Sequence, residues 1–413
     1  MNKNLEKIFY LRNPWQKGKS FPIPKNYIKR ALEKDIKQYL KNDDILIIYG
    51  SRQVGKTTLL YRIMQDLYKS GASKKNIFYF SADDLSFKEF LKDPANLIEF
   101  IFNNRKEKIY LFVDEAQRLE NPGIFLKNLY DYKLPNLKII ATGSSSLEIK
   151  SRIIEYLPGR KKVFTLYSLS LKEIGKKHWK DYFIFGGYPK VVLAQTETQK
   201  KTELKDIYES YIKKDISGYL QIEKPDKFNQ LAALLADQIS GLVNIDELTN
   251  TLNINKATIE KYILMLEDTF VIKKIYPFFQ NKRTEISKMP KIYFLDLGIR
   301  NIVLNNFNKL DQRADSGKLA ENFVLTQLEY CKETDQEINF WRTKSGAEID
   351  FVVQKGQQID LYEVKFKKPI KNIKTKAIQN FAKKYQFDNA YILSANQEVK
   401  KQDSINYLPI WDL

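Results

Sequence analysis

The sequence predicts an α/β protein built from three units, and three observations predict it. Short apolar runs at residues 44–50, 76–80, 109–113, 137–141 and 163–166 alternate with helix-length segments bearing charged faces, the pattern of a parallel sheet covered by helices on both sides. After about residue 171 these runs stop, and a helical period dominates to about residue 266. From about residue 318 helix and strand patterns alternate again, which marks a second α/β unit. The expected division is therefore 1–170, 171–290 and 291–413, in keeping with the two to three domains that 413 residues suggest.

In chain order, the Lys-rich amphipathic stretch 26–41 reads as a helix leading into the buried strand 44–50. In the middle unit, 244–252, a break at 253–255 and 256–267 read as helix, short turn, helix. The apolar run 270–272 and a basic segment follow, an order that resembles a winged helix-turn-helix. The last unit opens with a helix over 321–328, followed by strands at 337–341, 347–353 and 358–366, a helix at 374–385 and a strand at 389–393.

The strongest local signal is G-x-x-x-x-G-K-[ST] at residues 50–57, directly after a predicted strand and before the helical run 58–68, which is the setting a phosphate-binding loop requires. Gly50 and Gly55 let the backbone curl so that the N–H groups of Ser51, Arg52, Gln53, Val54 and the helix start at Thr57 and Thr58 face phosphates. Lys56 is expected to reach the β and γ oxygens of ATP, and the Thr57 hydroxyl to hold Mg²⁺. The apolar strand 109–113 runs into Asp114 and Glu115. Asp114 is the expected second Mg²⁺ ligand, and Glu115 the group that orients the attacking water; Asp-Glu at a strand end also serves as a plain helix cap. Beyond the strand 137–141 stand Thr142, Gly143 and Ser144 to Ser146; Thr142 or Ser144 is a candidate γ-phosphate sensor, and a helix N-cap at Ser144 to Ser146 competes equally. Arg160 and Arg152 are candidates for the arginine that neutralises transition-state charge, in cis or from a neighbouring copy in a homo-oligomer.

Composition removes other chemistries. Cys331 is the sole cysteine and His178 the sole histidine, so an intramolecular disulfide and a multi-His or Cys/His metal cluster cannot form, and no Ser-His-Asp triad is expected. No apolar run reaches the roughly 18 residues of a bilayer span, and the Lys-bearing N-terminus lacks a signal-peptide core; a soluble cytoplasmic protein without membrane attachment is expected. The net charge of +19 suits a polyanionic partner, either nucleic acid such as DNA or a membrane surface.

These residues resemble a prokaryotic family of AAA-type P-loop ATPases that carry a C-terminal domain of unknown function. The resemblance lies in 48–58 (IYGSRQVGKTT), 112–117 (FVDEAQ), 141–145 (ATGSS), 157–160 (LPGR) and 169–174 (LSLKEI). It continues in 185–189 (FGGYP), 293–298 (YFLDLG), 317–324 (GKLAENFV), Trp341 with Arg342, and 362–365 (YEVK), nearly the whole chain. Tyr167 and Ser168 stand where the family pattern has proline. The resemblance implies an AAA-type ATPase module, a winged-helix segment and a C-terminal fold similar to restriction-endonuclease-like nucleases, without implying a substrate.

In the last unit Asp350 is followed, 13 residues on, by Glu363, with Lys365 two further, a D…E-x-K arrangement. Strand alternation puts Glu363 and Lys365 on one face. A hairpin turn around Lys355 and Gly356 brings Asp350 near Glu363, so that two carboxylates can hold Mg²⁺ while Lys365 positions water. Glu321 resembles the family's helix glutamate and joins them as a metal ligand. The same pattern also fits a fold kept as a binding platform without cleavage. Between residues 364 and 387 stand eight lysines and no acidic residue, and 273–291 is similarly basic; both suit phosphate contact. Lys256 and Lys261 are balanced by Glu260, Glu267 and Asp268, so base reading is not indicated, and an internal packing role for the helix-turn-helix competes with DNA contact.

Overall fold

A computed structural model describes residues 3–102, 107–132, 134, 136–144, 153–210, 222, 224–279, 289–367, 375–395, 399–402 and 404–413. The chain divides into two compact units, Met1–Ser168 with Asp268–Phe270, and Leu169–Glu267 with Val271–Leu413. No helix among the described residues is long and apolar enough to cross a membrane.

In the first unit the apolar runs form a five-stranded parallel sheet from β1 (Ile45–Tyr49), β2 (Ile77–Ser81), β3 (Ile109–Asp114), β4 (Leu137–Gly143) and β5 (Lys161–Thr165), in the order β2-β3-β4-β1-β5. Each central strand is apolar throughout because both of its faces are covered. Below the sheet a cluster containing Phe9, Phe78, Phe80, Phe87 and Phe90 is excluded from water. Phe9 stands on the N-terminal helix α1 (Lys3–Arg12), and the turn after that helix protects the sheet edge. Asn13, wholly buried, donates to the Tyr79 carbonyl at 2.9 Å and accepts from the Tyr79 N–H at 2.8 Å. The Trp15 indole donates to the Ile77 carbonyl at 3.0 Å. An edge strand left open invites pairing with another chain; here side chains saturate it.

The helix expected over 26–41 is shorter, α2 running Leu32–Tyr39. The reason lies in Arg30, which is buried and donates to the carbonyls of Val54 at 3.0 Å and Tyr167 at 2.7 Å. Its own N–H donates to the Glu33 carboxylate at 2.8 Å, so residue 30 serves as a brace and helix entry point.

The second unit begins with helices Leu171–Ile174, Trp179–Phe185, Pro189–Leu193 and Glu197–Ile207, followed by Pro225–Asp237. Then comes the expected pair, Ile245–Leu252 and Lys256–Asp268. Asn244 caps the first by accepting from the N–H groups of Asp246 at 3.0 Å and Glu247 at 3.4 Å, and Asn253 ends it at φ +51°, a left-handed position that asparagine tolerates. Next, β6 (Ile272–Ile275) pairs antiparallel with β7 (Lys291–Phe294), hydrogen-bonding across the border expected at residue 290. A six-stranded mixed sheet completes the unit, ordered β12-β13-β11-β10-β9-β8, from β8 (Gln336–Arg342), β9 (Glu348–Lys355), β10 (Gln358–Val364), β11 (Asn389–Ser394), β12 (Lys400–Gln402) and β13 (Ile405–Pro409). The hairpin between β9 and β10 turns at Gly356, φ +59°, with Gln358 opposite Lys355.

A buried charge knot joins the helix Leu297–Val303 to the start of the helix Ser316–Tyr330. The guanidinium groups of Arg300 and Arg313, both side chains almost wholly buried, meet Asp315 at 2.5 and 2.8 Å. Burial raises the Asp315 carboxyl, but the two guanidinium groups outweigh it and hold that carboxyl well below the usual range. Removing one member leaves uncompensated buried charge, which costs about 3–5 kcal/mol. Asp315→Asn should therefore lower the urea midpoint of this unit by a corresponding amount with the slope unchanged; a loss under about 1 kcal/mol contradicts the assignment of the knot.

Candidate functional site

The sheet order places the C-terminal ends of β1, β3 and β4 side by side, with Tyr49 opposite Gly143 and Val113 opposite Ala141. Whatever follows those strands is gathered at one edge, where open α/β sheets bind ligands. After β1 comes the loop at 50–55. Gly50 is required there because a Cβ would lie 2.0 Å from the Leu166 carbonyl oxygen. The loop bends through left-handed Gln53 (φ +62°) and Gly55 (φ +97°) into helix α3 (Lys56–Lys69). Ser51 and Val54 are buried within it, and Arg30 props it from behind through the Val54 carbonyl.

Lys56 sits at the centre of the loop, 5% exposed. Its ammonium donates to the carbonyls of Gly50 at 3.1 Å and Ser51 at 2.9 Å and lies 4.0 Å from the Glu115 carboxylate. Burial lowers its pKa, opposed by Glu115 and Asp114. Asp114 accepts from the Thr57 hydroxyl at 2.6 Å, the Tyr79 phenol at 2.9 Å and the Thr142 hydroxyl. The Thr142 oxygen in turn accepts from the Glu115 N–H at 3.1 Å. Glu115, in a left-handed conformation at φ +52°, accepts from the Gln117 amide at 2.6 Å and the Ser144 hydroxyl at 2.9 Å. Burial raises the Glu115 carboxyl, yet Lys56, Gln117 and Ser144 outweigh it and keep it below its ordinary value. The group is therefore ionised and aimed, as an acceptor for a water proton must be.

Lys56, Thr57, Asp114, Glu115, Thr142 and Ser144 thus converge. Arg160 does not join them within its own chain. Its carbonyl accepts from the Ile45 N–H at 2.9 Å, at the end of β1 opposite the loop, and its guanidinium meets Asp131 at 3.3 Å. Arg152, Ser145 and Ser146 lie outside the described residues.

A second constellation lies in the C-terminal unit. Glu348 and Asp350, two apart on β9, share a face, and the helix Ser316–Tyr330 brings Glu321 to it; oxygens of these three carboxylates lie within 4.8 Å of one another. Lys291 of β7 donates to Glu321 at 3.0 Å and to Glu348, and Tyr293 donates to Glu321 at 2.5 Å. The Val364 N–H donates to Asp350 at 2.7 Å, which ties β10 to the group. Glu363 is paired to Lys365 at 2.7 Å and is not part of the trio. Burial, then the Asp350 charge, pushes the Glu321 carboxyl up to about 7; burial likewise raises Asp350. Lys291 is lowered by burial but more than restored by Glu321, Asp350 and Glu348. Lys365 is raised in the same way, by Asp350 and Glu363 against burial. Of the residues sequence reasoning missed, Glu348 was available from strand alternation with Asp350 and Gln117 from the stretch 112–117, whereas Lys291, Tyr79 and Arg30 carry no motif.

Residues 42–175 match a family model described as an AAA domain, 176–310 one described as a domain of unknown function (DUF8612), and 316–413 another domain of unknown function (DUF4143). The chain is similar to an uncharacterized protein of Haemophilus influenzae, 26% identical over 365 residues, covering 83% of this chain and 86% of that one. It is also similar to an uncharacterized protein of Methanocaldococcus jannaschii, 28% identical over 364 residues, covering 78% and 76%. Among solved structures, a Walker-type ATPase of Pyrococcus abyssi aligns with TM-score 0.46 and 15% identity over 69% of this chain and 98% of that one. Residues 42–168 of the first unit thus fall within the match to an AAA-domain model.

Proposed function

We propose that the chain is a Mg²⁺-dependent ATP hydrolase whose nucleotide state governs a DNA-contacting, nuclease-like C-terminal region. The observation that carries the hydrolase reading is the shared carboxylate of Asp114, which accepts from Thr57 at the mouth of the loop and from Thr142 on the neighbouring strand. A hydroxyl and a carboxylate are the oxygen donors that Mg²⁺ takes alongside phosphate, so Thr57 and Asp114 fit as its holders. When bound there, Mg²⁺ neutralises charge on the phosphate oxygens. Lys56, now satisfied by two loop carbonyls, exchanges them for β and γ oxygens. Glu115 accepts from and orients the lytic water, and Thr142 relays the geometry of Asp114 to the Glu115 backbone. An arginine acting at the γ-phosphate comes from another copy in a homo-oligomer; Arg160 is the proposed residue, since in cis it stands at the far end of β1. Phosphate release measured with Mg²⁺ and with EDTA, each with and without DNA, tests the reading. Release should require Mg²⁺; none above the Lys56→Ala background defeats it.

For the C-terminal region, the helix pair followed by the β6–β7 ribbon supports a winged helix, and the lysine-rich stretch 364–387 supports phosphate contact. In the stretch 273–291, also expected to contact phosphate, Lys273, Lys274 and Lys291 are instead paired to Glu329, Glu267 and Glu321; residues 280–288 and 368–374 lie outside the described set. DNA affinity should then fall with salt, log K declining with log[salt] by about 0.9 for each phosphate neutralised. A flat salt response or no binding contradicts it. Cleavage would rest on Asp350, Glu363 and Lys365, with Glu321 as a further metal ligand. The alternative, a nucleotide-gated binding platform that does not cut, is favoured by one observation, the ammonium of Lys291 among the carboxylates. Plasmid nicking with Mg²⁺ or Mn²⁺, compared with Glu363→Ala, separates the two.

A further inference from the structure

We propose that Lys291 is a tethered cation that takes the place of a divalent ion in the C-terminal carboxylate centre, closing a latent metal site. The inference rests on the binding-platform reading and concerns this centre alone, independent of ATP. Three carboxylates with oxygens inside 4.8 Å repel one another unless a cation is shared between them. A divalent ion is the usual cation for such an oxygen cage. Here the chain supplies its own. Lys291 has 1% of its side chain exposed and bridges Glu321 and Glu348. Its backbone is fixed in β7 opposite Ile275, and its ammonium lies 5.3 Å from the centre of the Phe340 ring, a face that favours a cation.

The remaining oxygens are drawn inward as well. Tyr293, on the same face of β7 two residues along, donates to Glu321 at 2.5 Å. The Val364 N–H donates to Asp350 at 2.7 Å, and Arg342 meets Glu348 at 3.4 Å. A dication entering this group meets an ammonium already bonded to two of its three ligands, so the residues as arranged do not fit a bound metal. The chemistry differs accordingly. An ammonium bonded to two carboxylates offers no open coordination position at which a water is activated as it is on a metal ion, so it orders the carboxylates without supplying that chemistry. Lys365 does not take over the same role, being paired to Glu363 at 2.7 Å.

The full chain without nucleotide is titrated with Mn²⁺ as wild type, Asp350→Asn, Lys291→Met and Lys291→Met with Asp350→Asn, reading free Mn²⁺ by electron paramagnetic resonance and the thermal midpoint in parallel. Lys291→Met should gain one bound ion at least tenfold tighter than any shared by the wild type, and Mn²⁺ should raise its midpoint; adding Asp350→Asn should erase both. Wild-type Mn²⁺ binding that Asp350→Asn removes overturns the proposal, and so does a folded Lys291→Met that gains no ion. The wild-type arm decides even where Lys291→Met does not fold: no Asp350-dependent ion supports the proposal. Metal-dependent nicking that Glu363→Ala removes defeats the binding-platform reading, and with no Asp350-dependent ion in the wild type it leaves the cation exchange standing.

Discussion

Lys56→Ala is expected to abolish measurable ATP turnover. The side chain is buried in the loop with its ammonium on the carbonyls of Gly50 and Ser51, positioned to meet charge without reorganising. Losing a preorganised donor of this kind costs about 10²–10³ in kcat, and losing charge-assisted bonds worth about 1.5–3 kcal/mol each weakens ground-state binding as well. Both phosphate release and nucleotide affinity should therefore fall together. The fold should survive, because Asp114 and Glu115 keep their hydrogen bonds to Thr57, Tyr79, Thr142, Gln117 and Ser144. A variant that keeps wild-type affinity and turnover refutes the role given to the loop.

Glu115→Gln should separate the two quantities. Its carboxylate is held by the Gln117 amide and the Ser144 hydroxyl, contacts that a glutamine carbonyl can still accept. The variant loses the negative charge that draws a proton from water, and turnover should drop about 10²–10³-fold. Affinity for ATP should stay within a few-fold, leaving a complex that binds and does not turn over. Loss of binding equal to the loss of turnover would mean that Glu115 shapes the nucleotide pocket instead of the water.

Much of the first unit was legible because its signals are local. The apolar runs at 44–50 and 109–113 mark strands buried on both faces, and the glycine spacing around Lys56 is tied to the turn it must make; Gly50 could carry no side chain beneath Leu166. The meeting of Asp114 with Thr57 followed from its place at a strand end. What escaped is non-local. Tyr79 reaches Asp114 from another strand, 35 positions earlier, and Arg30 reaches the loop across 24 positions; neither stands in a recognisable spacing. The shortened helix before β1 has the same origin, since a tertiary contact of Arg30 overrode a local helical pattern.

The C-terminal unit divides along the same line. Asp350, Glu363 and Lys365 were visible through strand alternation, and the turn at Gly356 was anticipated from Lys355 and Gly356. Lys291 was counted only as one positive charge in a basic segment. Its ion pairs with Glu321, 30 positions away, and Glu348, 57 positions away, depend on how β7 and β9 come together. A lysine read as part of a phosphate-contacting stretch is instead one of the most buried side chains among the described residues.

The central claim is that residues 50–57 enclose a triphosphate whose magnesium is shared with Asp114. A crystal structure with Mg²⁺ and a non-hydrolysable ATP analogue tests it most directly. The account predicts Lys56 Nζ within hydrogen-bond distance of β- and γ-phosphate oxygens, and the metal between the Thr57 hydroxyl and the Asp114 carboxylate, directly or through one water. A nucleotide bound elsewhere, or a loop still closed on Lys56 with the analogue present at saturation, would contradict it.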